Sequence, residues 1–156
     1  VTTPRWLLRI FWLEDRVVSR LTGGRLTLPN GSRGQARTLF LHTVGRATGR
    51  LRRNGLYYVE AGPNLVVVAS NAGEDTDPAW WRNLQAHPDA EVEVGTERRA
   101  VHARRATPVE AGPLYERFVT ALPQYEGYRR RTTREIPVVI LEPRSVAAAA
   151  ALAEGP

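Results

Sequence analysis

The 156-residue sequence has no cysteine, no methionine and no lysine; all 22 of its basic residues are arginine. Without cysteine there can be no disulfide, thiolate metal site, iron–sulfur cluster or cysteine nucleophile in this chain. Arginine-only basicity beside abundant alanine, valine, glycine and proline is the mark of a GC-rich genome, so arginine use alone is no functional signal. No apolar run approaches the ~18 residues of a spanning helix, and no secretory h-region is visible. A soluble, cytoplasmic chain is therefore expected.

Catalytic signatures are also missing. "GRATGR" (45–50) has three residues between its glycines and no following lysine, which excludes a phosphate P-loop. No G-x-G-x-x-G opens a helix after a strand, which removes the usual nicotinamide fingerprint. His42, His87 and His102 lack metal-ligand spacing, and no metal is expected. Ser70 lies in "VASNAG", which is no nucleophile elbow, and the carboxylates are scattered. An enzyme built on this sequence has to import its reactive group, and cofactor-borne hydride chemistry does that.

What is present is positive charge. The formal net charge is +6 and the pI about 10.6, which favours anionic partners. Arg46, Arg50, Arg52 and Arg53 crowd a glycine-studded turn between two core-like stretches, "LHTVGRATGRLRRNGLYYV" (41–59). The planar fork of arginine suits phosphate and carboxylate oxygens, and a turn at Gly45 and Gly49 also brings backbone N–H groups close.

The pattern predicts a helix over 4–22 with a broad apolar stripe. It packs on the domain or, since Trp6, Phe11 and Trp12 lie among arginines, rests on a membrane surface. Strands follow at "RTLFLHTV", "GLYYVE" and "LVVVAS". A short helix is expected from Pro78, capped by Asp77 and stopped by Pro88. A second hairpin covers "AEVEV" and "RRAVHARRA". A helix begins at Thr107-Pro108 and is expected to break at Gly112-Pro113, "PQYEGYRRRT" forms a helical turn, and "IPVVILEP" is the last strand. Strands joined in pairs by short turns predict an α+β, mainly β fold, largely antiparallel, with helices at its edges. One domain is expected over 1–143, with an Ala-rich tail at 144–156.

Taken in order, three segments resemble the deazaflavin-dependent nitroreductase family, split β-barrel proteins that use coenzyme F420. They are "LTGGRL" with "LHTVGRATGRLRRNGLYYV", then "VVVASNAGEDTDPAWWRNLQAHPDAEVEV" (66–94), then "YEGYRRRTTREIPVVILEP" (125–143). The resemblance implies a split barrel of mostly antiparallel strands with flanking helices. It also implies a flavin-like cofactor carrying a phosphodiester and an oligoglutamate tail. By that resemblance Arg46, Thr48, Gly49, Arg52 and Asn54 hold the tail, while Ala69, Ser70, Trp80, Asn83 and Leu84 approach the ring. Tyr57, Ser70, Tyr125 and Tyr128 match pocket positions that orient the acceptor. Arg50 and Arg53 fall at variable positions and are read either as solvated or as substitutes for the lysine that the family commonly carries at position 47, and Trp81 as packing.

The sequence departs from the family pattern at Ala47 (commonly lysine), Gly55 (usually proline), Ala72 (often glycine) and Leu122, where one branch carries a tyrosine. The expected activity is hydride transfer from reduced coenzyme F420 to an electron-poor small molecule such as a quinone, nitro compound or activated alkene. An FMN-binding split barrel is the alternative enzyme. A non-catalytic basic barrel on RNA or an acidic membrane is the alternative from another class. RNA is disfavoured, because only Tyr57 and Tyr58 interleave with the arginines.

Overall fold

A computed structural model describes residues 37–144, so the expected N-terminal helix, "LTGGRL" and the tail beyond Arg144 lie outside the described residues. Among the described residues there are six strands: β1 (Arg37–Val44), β2 (Leu51–Ala61), β3 (Asn64–Val68), β4 (Asp89–Val94), β5 (Glu97–Arg105) and β6 (Val138–Pro143). Three helices accompany them, α1 (Ala79–Ala86), α2 (Pro108–Ala121) and α3 (Gln124–Arg131). The strands close into a barrel in the order β1-β2-β3-β6-β5-β4, with β4 pairing back onto β1 and every pairing antiparallel. The expected mainly-β split barrel with flanking helices is what the chain forms.

Side-chain alternation sorts the apolar residues into two clusters. Leu39, Leu41, Tyr58, Leu65, Val67, Val92, Val101, Val139 and Leu141 fill the barrel together with Trp80, Trp81 and Leu84 of α1. Their strand neighbours Val66, Val68, Val138 and Ile140 point the other way, under Tyr115, Phe118, Leu122 and Tyr125 of the α2–α3 region. Strands β3 and β6 are thus buried on both faces, which is why their sequences read as unbroken apolar runs. Phe118 is fully buried, and its truncation to alanine is expected to cost ~3–5 kcal/mol.

Three local expectations are corrected. The arginine segment is only half turn: β2 begins at Leu51, so Arg52, Arg53 and Asn54 are strand residues paired with Thr43, His42 and Leu41. Their outward faces are solvated, which the hydropathy pattern alone cannot distinguish from loop. Asp77 does not cap α1. The helix starts after Pro78 with no side-chain cap, and the Asp77 carboxylate accepts from Arg134 at 2.9 Å. Helix α2 runs unbroken through Gly112-Pro113. The missing N–H of Pro113 frees the carbonyl of Val109, but Val109 is 85% exposed and so open to solvent.

The start of α2 is secured by a capping box. The Glu110 N–H donates to Thr107 Oγ1 at 3.4 Å, and the Thr107 N–H donates to Glu110 Oε2 at 2.9 Å. Arg104 of β5 grips the same carboxylate with both Nη atoms at 2.8 and 2.9 Å, and donates through Nε to Glu142 of β6 at 2.6 Å. The helix that covers the outer face of β3 and β6 is thereby tied to the barrel at its first turn.

Candidate functional site

The turn between β1 and β2 is compact. The Gly45 N–H donates to the Arg50 carbonyl and the Gly49 N–H to the Gly45 carbonyl, each at 2.7 Å. Gly49 takes φ +67°, a left-handed conformation that a side chain would strain. Thr48 Oγ1 accepts from the Arg50 N–H at 3.3 Å. Against this turn lies Asn83 of α1, only 4% exposed. Its Oδ1 accepts from the Arg46 N–H at 3.1 Å and from Arg46 Nη1 at 3.4 Å, and its Nδ2 donates to Thr43 Oγ1 at 3.1 Å.

A cleft of about 280 Å³ opens between the turn (Gly45 to Thr48), the start of β2 (Arg52 to Asn54) and α1 (Ala79, Trp80, Asn83). Among the described residues three arginines line it and no aspartate or glutamate does. Arg53 stacks 3.6 Å above the Phe40 ring centroid and reaches Glu93 at 3.8 Å, whereas Arg52 makes no ion pair among the described residues. A cleft with this donor set fits the polyanionic tail expected of the cofactor, since Arg46 and Arg52 have no acidic partner among the described residues and Arg53 meets Glu93 only at 3.8 Å.

A second group of candidate residues gathers where β3 and β2 meet α3. Tyr125 packs edge-on against Phe118 (4.7 Å between centroids) and Tyr128 (5.1 Å). The Tyr115 hydroxyl donates to the Tyr125 carbonyl at 2.9 Å. Burial pushes the Tyr125 phenol up to about 12, and the neighbouring Tyr128 and Tyr57 phenols add to it, against the lowering effect of a hydrogen bond with Ser70. Burial likewise raises the Tyr115 phenol. Tyr57, Ser70, Tyr125 and Tyr128 therefore share one neighbourhood, with Ser70 buried and Tyr57 37% exposed.

The structure distributes the expected cofactor residues unevenly. Arg46, Thr48, Arg52, Asn54, Trp80 and Asn83 line the cleft, and Gly49 shapes the turn beside it. Leu84 and Ala69 lie in the barrel core, 1% and 0% exposed. Both backbone groups of Ala69 are engaged: its N–H donates to the Pro137 carbonyl at 2.9 Å and its carbonyl accepts from Arg134 at 3.1 Å. Arg53, read from the sequence either as solvated or as a substitute for the family's lysine, stands on the cleft wall. Trp81 is core packing, as expected, with its indole Nε1 buried and unpartnered.

Sequence reasoning missed Arg134. Its Nε donates to the Glu74 carbonyl at 2.8 Å, Nη1 to Asp77, and Nη2 to the carbonyls of Ala69 and Ser70 at 3.1 and 2.8 Å. The available signal was its place in "REIPV", inside a segment that carries the resemblance.

The described residues thus build a closed antiparallel barrel with an arginine-lined cleft, the architecture of the split-barrel class. A profile of the family described as F420H(2)-dependent quinone reductase matches residues 15–143. An F420H(2)-dependent quinone reductase of Mycobacterium tuberculosis is 36% identical over 152 residues, covering 90% of this chain and 97% of that protein. A solved F420-H2 dependent reductase, FDR-A, superposes with a TM-score of 0.62 at 31% identity, covering 67% of this chain and 93% of the other. A structure described as a domain-swapped dimer superposes with a TM-score of 0.64 at 28% identity, covering 86% of this chain and 99% of the other. The chain belongs to the F420H2-dependent quinone reductase family, and it is an oxidoreductase with coenzyme F420 as its cofactor. Among the described residues no helix is long and apolar enough to cross a membrane.

Proposed function

We propose that this chain passes a hydride from reduced coenzyme F420 to a quinone-type acceptor, with the cofactor tail held in the arginine cleft. The observation that carries the reading is that, among the described residues, a cleft holding Arg46, Arg52 and Arg53 is lined by no acidic side chain. When bound, the reduced deazaflavin supplies a two-electron hydride donor.

The chain's own residues do the rest. Arg46 and Arg52 bind phosphate and carboxylate oxygens, and Asn83 fixes Arg46 through both of its bonds. Trp80, 5% exposed, supplies a flat apolar wall at the α1 side of the cleft. Tyr57, Ser70, Tyr125 and Tyr128 orient the acceptor. With its phenol near 12, Tyr125 remains protonated at neutral pH and donates a hydrogen bond toward developing oxyanion charge. Holding donor and acceptor in a near-attack arrangement is the main source of rate.

Fluorescence titration with oxidised coenzyme F420 and with FMN tests the assignment. The deazaflavin is expected to bind in the micromolar range or tighter, and FMN at least about tenfold more weakly, because one terminal phosphate engages fewer guanidinium groups. Equal or tighter FMN binding overturns it. A peripheral contact between residues 4–22 and an acidic membrane, suggested by Trp6, Phe11 and Trp12 among arginines, fits reduction of a lipid-soluble quinone. Loss of liposome co-sedimentation in Trp12→Asp, at unchanged melting temperature, supports that contact. A large drop in melting temperature, with no binding by the parent, leaves packing alone.

A further inference from the structure

We infer that Arg134 is a positioning residue for the reaction, a clamp that holds the loop from Ala69 to Asp77 in the shape that presents Ser70. This rests on the proposed function, in which Ser70 faces the acceptor.

The loop is tied internally by the Gly73 N–H to the Ser70 carbonyl at 2.9 Å, the Glu74 N–H to the Asn71 carbonyl at 3.0 Å and Asn71 Nδ2 to the Thr76 carbonyl at 3.0 Å, yet its backbone is strained. Asn71, Ala72 and Gly73 take φ values of 46°, 54° and 84° in succession, and only the last is glycine. A left-handed conformation costs roughly 1–2 kcal/mol at each residue that carries a Cβ, so it persists only where its surroundings enforce it. The enforcement comes from the segment after α3. The Arg134 guanidinium, its side chain 15% exposed, donates to four acceptors at once: the carbonyls of Ala69, Ser70 and Glu74 and the carboxylate of Asp77. Those acceptors span the loop from its first residue to its last. Only a planar fork with several N–H groups reaches them together; an ammonium cannot.

Neighbouring contacts point the same way. Thr132 Oγ1 donates to Asp75 Oδ1 at 2.8 Å and accepts from the Arg134 N–H at 3.2 Å. A Cβ at Gly73 would stand 2.9 Å from the Tyr128 carbonyl oxygen and from the Arg131 Cβ, so the loop lies directly on α3. Helix α3 carries Tyr125 and Tyr128. The clamp therefore sets where the Ser70 hydroxyl sits relative to those phenols, although Arg134 itself need touch neither acceptor nor cofactor.

The test compares Arg134→Ala and Arg134→Lys with the parent in two measurements. The first is hydrogen exchange of the ligand-free protein. Amides of 69–77 are expected to exchange about tenfold faster in both variants, the loss expected for a buried charge-assisted contact. Amides of 45–54 should be unchanged, and added guanidinium chloride should restore protection in Arg134→Ala where equal sodium chloride does not. The second is menadione reduction by the loaded enzyme. Here kcat is expected to fall about tenfold or more while the Kd for oxidised coenzyme F420 moves less than about threefold, since the tail cleft is untouched. Unchanged exchange at 69–77, or a kcat within about twofold of the parent, overturns the inference. If Arg134→Ala does not fold, the lysine variant gives both readings. A parent that binds no coenzyme F420 defeats the proposed function instead, and the cofactor-free exchange measurement still decides the clamp.

Discussion

Asn83 and Arg46 are joined twice, the side-chain oxygen of one accepting from both the backbone N–H and the guanidinium of the other. Helix α1 thereby fixes the direction of a cleft arginine and the turn that carries it. Asn83→Ala removes these bonds and the one to buried Thr43, and is expected to destabilise the fold by ~1–3 kcal/mol. The Kd for oxidised coenzyme F420 should rise about tenfold, read by fluorescence titration. Asn83→Asp keeps the acceptor but adds a negative charge to an acid-free cleft, so it should bind more weakly than the alanine variant. Parent-like binding by Asn83→Asp would place the anion elsewhere.

Arg52 lines the cleft and has no ion-pair partner among the described residues, so its contribution should appear in binding rather than in folding. Arg52→Ala is expected to weaken coenzyme binding by roughly 1.5–3 kcal/mol. Arg144 pairs with Asp89 at 3.2 Å and does not line the cleft, so Arg144→Ala should leave affinity unchanged. Equal losses in the two variants would show that overall charge, rather than the cleft, sets affinity.

The left-handed run after Ser70 predicts substitutions of opposite sign. Gly73→Ala meets backbone at 2.9 Å in a conformation with φ +84°, and should cost ~2–4 kcal/mol in urea unfolding. Ala72→Gly removes the Cβ from a residue at φ 54° and should stabilise by up to about 1 kcal/mol, the greater freedom of glycine in the unfolded chain offsetting part of the gain.

The cap of α2 predicts a pH dependence. The Arg104 guanidinium, then the Thr107 N–H, hold the Glu110 carboxyl well below its ordinary 4.5, at about 2. A depressed folded pKa stabilises above the unfolded value and is lost as pH falls through the folded one. The difference in urea midpoint between the parent and Glu110→Gln should be full at pH 6 and shrink between about 4.5 and about 2. The Glu110 side chain is 35% exposed, so salt should reduce the difference at every pH. A difference independent of pH would mean that the carboxylate charge contributes nothing.

Leu122 closes α2 in the apolar cluster with Phe118 and Tyr125 and is 8% exposed. In the proposed acceptor site an apolar side chain at this position would pack against a quinone ring and offer no hydroxyl to a nitro group. The parent is expected to reduce menadione-type quinones and turn over bicyclic nitroimidazoles little. Leu122→Tyr should raise nitro reduction relative to quinone reduction, at a stability cost of ~1–3 kcal/mol from overpacking. Paired steady-state assays decide it; strong nitroimidazole turnover by the parent defeats the pocket argument.

The barrel was legible because burial writes itself into residue type. The run "LVVVAS" requires two covered faces, and β3 has them, its odd residues inside the barrel and its even ones beneath α2 and α3. The extension of β2 through Arg52 and Arg53 was not legible, since outward strand positions in water carry the same residues as a turn. Nor was the continuity of α2, which depends on whether the freed Val109 carbonyl meets water. The cleft was half legible: the arginines announced it, but the commitment of Asn83 to the protein's own turn depends on a fold contact 37 residues away. Arg134 was hidden for the same reason, its acceptors lying 57 to 65 residues from it in the chain, and three of them backbone carbonyls that side-chain identity does not specify.

The acid-free cleft has a consequence for the protein's lifetime. With nothing anionic bound, Arg46 and Arg52 line one cleft with no acidic partner among the described residues, a like-charge arrangement that a bound polyanion would relieve. Stability is then linked to ligand concentration, rising by ~2.7 kcal/mol when free ligand stands at a hundred times its Kd. A chain starved of coenzyme is then expected to open more often and to be cut by proteases more readily, so the supply of coenzyme should affect how much of this enzyme accumulates as well as how fast it turns over.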